Sequence, residues 1–342
     1  MVRKVFLILF MIVVVIAATL AALALITQAG VLVLNRMHSA AGKIIGVAGA
    51  RIHVVDIGPR DSDVPPVVMI HGASSNLETM RLPVGDMLAK NRRVILIDRP
   101  GHGWSSRDRL SDSTPSVQAR MIEEALGKLG VTGAVLVVHS WAGSLGSLMA
   151  LNYPQRVAGL VMLAPVAYPW PGGVGAYNKV VTTPVIGPLL AYTITLPLGL
   201  ALVRPGTRSV FLPQAMPLDY VRAAAIALVL RPREFLANAR DLVMLKAAVA
   251  GQAPRYAAIK VPTVVIHGDA DETVSLDIHS RPFAAAVPGA NLIVLPGVGH
   301  MVQNAVPGLV VREIEQMAAA PQRLVGRPEP TGEHQRPMRQ LP

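Results

Sequence analysis

Three short stretches of the chain are apolar without interruption: P-V-V-M-I-H-G (66–72), R-V-I-L-I-D (93–98) and A-V-L-V-V-H (134–139). Valine- and isoleucine-rich runs of this length, closed by Gly, Asp or His, fit strands buried on both faces. A parallel sheet covered by helices on both sides buries strands in that way. Segments of helical spacing lie between them, at 77–90 and at 116–129, the latter opened by Thr114-Pro115. A helix at 141–152 and another apolar run at 157–165 follow, while R-I-H-V-V-D-I-G (51–58) alternates like a half-buried strand. This rhythm predicts an α/β fold built on a doubly wound, mostly parallel sheet.

The rhythm stops at 166–259. That segment opens with Y-P-W-P-G-G-V-G and then reads as several helices with aliphatic faces, so it is expected to form a helical cap inserted in the core. Strand patterns return at 261–269 and 290–296, with helices near 277–286 and 307–319. The core is therefore expected in two parts, 37–165 and 260–320. Residues 321–342, rich in proline, arginine and glutamine, read as a disordered tail.

The first 36 residues form a separate unit. M-V-R-K precedes a stretch that is uncharged from Val5 to Ile26 and nearly apolar on to Leu34. At about 1.5 Å per residue it is long enough for a hydrocarbon core of about 30 Å. A cleaved signal peptide has an apolar region of only about 7–15 residues, so an uncleaved transmembrane anchor is the expectation. Arg3 and Lys4 before it, against sparser Arg36 and Lys43 after it, point to a cytoplasmic N-terminus and an extracytoplasmic main body.

The formal charge of +11 is dispersed, with no basic run interleaved with aromatics, so no nucleic-acid partner is expected. Cysteine is absent, which excludes disulfides, thiolate metal sites and a thiol nucleophile. No H-E-x-x-H or similar spacing occurs, and neither a metal nor another cofactor is expected. No obligate protein partner is evident either. Within 166–258 nine basic residues face three acidic ones, beside apolar runs such as L-P-L-G-L-A-L-V (196–203). Such a cap either rests on anionic lipid or merely covers an apolar pocket.

Three motifs carry chemistry. V-V-H-S-W-A-G (137–143) puts Ser140 at a strand-to-helix turn, where a nucleophile elbow belongs. The turn calls for small residues two before and two after the serine; Ala142 satisfies that and Val138 does not. H-G-A-S-S-N (71–76), after the strand at 66–70, offers the backbone N–H of Ala73 as an oxyanion donor, with that of Trp141 as its partner. G-D-A-D-E-T-V (268–274) and G-V-G-H-M-V-Q (297–303) supply a late acid and a later histidine, His300.

With D-R-P-G-H-G-W-S (98–105), these motifs in this order resemble the α/β-hydrolase superfamily over about residues 49–317. The resemblance implies a Ser140–Asp271–His300 triad, and it favours Asp271 over Asp269 because the family's acid precedes a valine in D-x-x-V. It also bears on Val138. The haloalkane-dehalogenase branch is similar at its elbow, V-x-D-W-G, and tolerates valine there. That branch uses aspartate, whereas serine with a histidine base suits acyl transfer. The implied activity is hydrolysis of a carboxylic ester with an apolar acyl or alcohol part. The same triad serves amides, lactones or a carbon–carbon bond beside a ketone, and a non-catalytic scaffold is the alternative of another kind.

Overall fold

The computed structural model describes residues 2–60 and 64–325. Helix α1 (Val2–Met37) leads into β1 (Lys43–Val47) and β2 (Ala50–Ile57), an antiparallel pair at the edge of the sheet. The remaining strands are β3 (Val67–Ile70), β4 (Val94–Ile97), β5 (Ser106–Arg107), β6 (Ala134–His139), β7 (Val157–Leu163), β8 (Thr263–Gly268) and β9 (Asn291–Leu295). The sheet order is β1-β2-β4-β3-β6-β7-β8-β9, with β5 paired to β2. From β4 to β9 every neighbouring pair is parallel.

The period-2 alternation of these strands feeds two cores. Val68, Ile70, Leu136 and Val138 face helices α2 (Pro115–Lys128) and α3 (Ala142–Asn152). Val67, Met69, Val135 and Val137 face the opposite side, against Met80, Leu88, Val310 and Ile314. Both faces are thus covered, which is why the strands carry no polar alternation. Thr114 caps α2 through a hydrogen bond from the Val117 N–H, and Pro115 occupies the first turn, where its missing N–H costs nothing.

Between β7 and β8 the described chain holds helices and no strand. It forms α4 (Ala176–Val181), α5 (Ile186–Thr193), α6 (Thr195–Phe211) and α7 (Pro232–Gln252), with short turns between them. After β8 come α8 (Ser280–Ala286) and, beyond β9, α9 (Pro307–Val325). The order of the strands reverses between β3 and β6, since β3 leads outward to β4 while β6 pairs on its other side. The carboxyl ends of β3 and β6 therefore open a crevice, the place where α/β sheets bind ligands.

Two local expectations are corrected. The helix read at 77–90 is broken: a wide π turn, Arg81–Gly85, separates two short α segments. Pro83 sits in that turn and has no N–H to give to a regular helical bond. Helix α9 also runs on to Val325, past the Ala319 expected of it. Residues 326–342 lie outside the described residues.

Candidate active site

Ser140 stands between β6 and α3 with φ +54°, a left-handed conformation that is costly for a residue with a Cβ. Three backbone hydrogen bonds hold it there. Its N–H donates to Leu163 O at 2.9 Å, and its carbonyl accepts from Gly143 N (2.8 Å) and Val166 N (2.9 Å). The turn is also crowded from both sides. A Cβ on Gly72 would lie 2.9 Å from Ser140 Cβ, and one on Gly143 would lie 2.4 Å from Pro165 Cβ. The glycines at 72 and 143 are what let the neighbouring loops close on the serine.

His300 follows β9 on a loop that brings it to the same cavity. Its Nδ1 lies 2.8 Å from Asp271 Oδ2. Asp271 accepts three further bonds, from His267 Nε2 (3.0 Å) and from the N–H groups of Thr273 (2.8 Å) and Val274 (2.9 Å). Burial alone would raise this carboxyl, but the hydrogen bonds from His267, His300 and Val274 outweigh it and hold it well below the usual carboxylate range. Asp271 is therefore a fixed anion against the histidine ring. The competing acid, Asp269, is spent elsewhere, accepting the Gly297 N–H at 2.7 Å.

The Ala73 and Trp141 N–H groups have no acceptor among the described residues, and both residues border the cavity beside Ser140. Ser140 Oγ likewise has no hydrogen-bond partner there, His300 included, although the two residues share one wall. The Trp141 ring is packing: its Nε1 donates to Asp241 O (3.2 Å) and Arg99 lies 4.0 Å over its face.

Several further residues set this geometry; Asp241 fits its reading as a salt-bridge partner and His139 and His71 theirs as structural histidines, whereas nothing in the sequence marked Gln214 or Asn238. His139 Nε2 donates to His300 O at 3.2 Å, and burial, then the neighbouring His300, push this imidazole down to about 3, so it is neutral. Gln214, from the cap, brackets the histidine loop, accepting from Gly299 N (2.8 Å) and donating to Gly297 O (2.8 Å). Asn238, on α7, accepts the Ser74 N–H (2.7 Å) and donates to Ser74 Oγ, fixing the loop that carries Ala73. Asp241, also on α7, is a fully buried ion-pair partner of Arg99 (2.7 Å) and Arg107 (2.5 Å). His71 accepts from Arg99 N through Nε2, so its Nδ1 carries the proton given to Gly72 O.

The cavity has a volume of about 1170 Å³, at the upper end of small-molecule sites. Its walls above the serine come from the cap and are mostly aliphatic, among them Leu190, Leu198, Leu202, Leu230 and Leu245. Among the described residues no arginine or lysine lines it. Among the described residues no cluster of three His, Asp or Glu side chains is placed to hold a metal ion.

A sheet of this order with a serine at the strand-to-helix turn defines a class, and comparison with known proteins agrees. The sequence profile described as the alpha/beta hydrolase family matches residues 67–313, and the chain belongs to that family of hydrolases. It is 29% identical over 266 residues to the 2-hydroxy-6-oxo-6-phenylhexa-2,4-dienoate hydrolase of Burkholderia cepacia, covering 75% of this chain and 87% of that one. Among solved structures, the enol-lactonase from Burkholderia xenovorans LB400 superposes with a TM-score of 0.66 at 20% identity, over 80% of this chain and 99% of the other. A membrane phospholipase A superposes with a TM-score of 0.64 at 17% identity, over 93% and 99%.

Proposed function

We propose that the protein is a serine hydrolase that cleaves a carboxylic ester with an apolar acyl or alcohol part. Ser140 Oγ attacks the carbonyl carbon while His300 takes its proton, and Asp271 holds the imidazole in the tautomer that can accept it. The tetrahedral oxyanion is held by the N–H groups of Ala73 and Trp141. His300 then gives the proton to the leaving alcohol, and a water activated by the same ring releases the acid from the acyl-enzyme. The observation that carries this reading is the 2.8 Å contact of Asp271 with His300, in a cavity shared with a strained serine and two unengaged N–H groups. The free Ser140 hydroxyl fits it too, since nucleophile–base bonds tighten when substrate binds.

The relative from Burkholderia cepacia is named for a dienoate, whose carboxylate is anionic. A cavity lined by no arginine or lysine among the described residues offers such a substrate no counter-charge there, which favours the uncharged ester over hydrolysis beside a ketone. Helix α1 supports a membrane-anchored enzyme. It is long and apolar enough to cross a bilayer, and the flanking charges favour a catalytic domain on the extracytoplasmic side.

The test is covalent labelling by a fluorophosphonate probe. Wild-type protein is expected to label and Ser140→Ala to lose both labelling and ester hydrolysis, the latter by about 10⁶-fold in kcat, as for other triads. Labelling that persists in Ser140→Ala would remove the serine from this role.

A further inference from the structure

The candidate cavity opens on a face of the cap that soluble proteins do not ordinarily expose. Tyr177, Ile194, Leu198 and Leu202 line the cavity, yet each is 40–58% exposed. Around them Ile186 and Leu189 on α5 and Leu200 on α6 are about half exposed, and Val185 is 80% exposed. Helices α5 and α6 meet at an angle of 72° and together are long and apolar enough for a bent membrane segment. A contiguous apolar surface of this kind calls for a partner.

Helix α1 says which partner. From Val5 to Ile26 it is uncharged and almost wholly exposed. At about 1.5 Å per residue that stretch matches the roughly 30 Å hydrocarbon core. Full burial begins at the next residue, after Leu20, Leu23 and Ala24 on the same face are already partly covered. Thr27 is buried, and its Oγ1 donates to Thr193 O at 3.0 Å, at the end of α5. Gly30 then lets Leu196 of α6 press close, since a Cβ there would stand 2.6 Å from Leu196 Cδ2. Leu34 packs with Leu196 and Leu228, and Asn35 Oδ1 accepts from Arg231 Nη1 at 3.0 Å. The C-terminal end of the bilayer-length stretch thus lies against α5, one residue from the mouth residue Ile194. Lys179, Arg204, Arg208 and Arg222, all exposed on the cap, supply charge complementary to anionic headgroups.

We propose that the apolar face of α5 and α6 is seated in the surface of the bilayer that α1 crosses, and that the cavity takes a long-chain acyl-ester lipid directly from the membrane. The inference rests on the serine-hydrolase reading and on α1 as a span. The mouth then exchanges lipid with lipid, so an acyl chain enters the aliphatic cavity without crossing water. The ester carbonyl follows toward Ser140.

The test uses the full chain reconstituted into phosphatidylcholine vesicles containing one fifth phosphatidylglycerol. Ile186→Ser/Leu189→Ser/Leu200→Ser changes the face without touching the cavity wall. Fluorophosphonate labelling and hydrolysis of water-soluble p-nitrophenyl acetate are expected to stay within twofold. Hydrolysis of a long-chain fluorescent acyl ester dissolved in the vesicles is expected to fall at least tenfold. Equal rates on the vesicle substrate would overturn the proposal. So would a loss that tracks conversion of a dimer to a monomer, which would make the face a contact between two copies. A second measurement does not depend on catalysis: Leu200→Trp should add fluorescence that brominated phosphatidylcholine quenches, and emission immune to that lipid would also overturn it. Failure of the wild type to label at all would strike the triad reading instead, leaving the quenching result to judge the membrane face.

Discussion

Val138 faces Gly146. A Cβ built on Gly146 would lie 2.9 Å from Val138 Cγ2, 3.0 Å from Cγ1 and 3.2 Å from Leu160 Cδ1. The residue two before Ser140, which the elbow pattern wants small, is a valine because the helix after the turn has given up its own side chain one turn in. The volume has moved across the interface, and Val138 is fully buried in it.

Gly146→Ala should therefore destabilise the fold. Overpacking against a stiff β-branched side chain costs about 1–3 kcal/mol, and the gain of about 1 kcal/mol from replacing a helical glycine offsets only part of that. Val138→Ala alone should lose about 2 kcal/mol of burial. The double variant should be more stable than the sum of the two losses, a coupling that thermal unfolding of all four proteins measures.

His267→Phe keeps a ring of similar size and removes a donor from Asp271, which lies 3.0 Å from His267 Nε2. The carboxylate then loses one of the bonds that fix it against His300, and kcat should fall about tenfold with KM nearly unchanged. An unchanged kcat with an intact fold would assign His267 to packing alone.

Asp271 also couples the site to stability. Its folded pKa is depressed, so its contribution is present above the unfolded value of about 4 and is lost as pH falls through the folded value. Asp271→Asn should be less stable than wild type near neutrality, and the gap should close progressively below about pH 4. Denaturant unfolding at neutral and acidic pH checks the sign.

Gln214→Ala removes both side-chain bonds that bracket the His300 loop, to Gly297 O and from Gly299 N. A loosened base should lower kcat about tenfold while leaving KM nearly unchanged, with a stability loss of about 1–2 kcal/mol. A rise in KM with kcat intact would place Gln214 in substrate binding instead.

The elements that carry the candidate site were legible because each combines a buried run with a short turn motif. A-V-L-V-V-H-S predicts β6 and the elbow from hydrophobicity and residue size alone. The edge strand β1, K-I-I-G-V, escaped notice because it is largely exposed and carries a glycine, so it has no burial pattern to read. Two-residue β5 is shorter than any periodicity. Asn238 and Gln214 were invisible for another reason. Their partners lie 164 residues and 83–85 residues away along the chain, and nothing local marks a cap residue as the clamp of a distant loop. The resemblance marked Val138 as tolerated but not why, because its compensation sits on the next element.

Helix α7 ties the cap to the core through several polar side chains, three of them on the loops around the site. Asn238 grips Ser74, Asp241 joins Arg99 and Arg107, and Glu234 accepts the Gly103 N–H at 2.9 Å. That half of the cap is bolted to the loops that shape the chemistry and cannot swing without dismantling them. Helices α5 and α6 carry no such ties to those loops among the described residues. The roof over the serine is thus divided into a fixed beam and a replaceable panel. Substitutions in the panel can retune which molecules are admitted while the beam keeps the reaction unchanged.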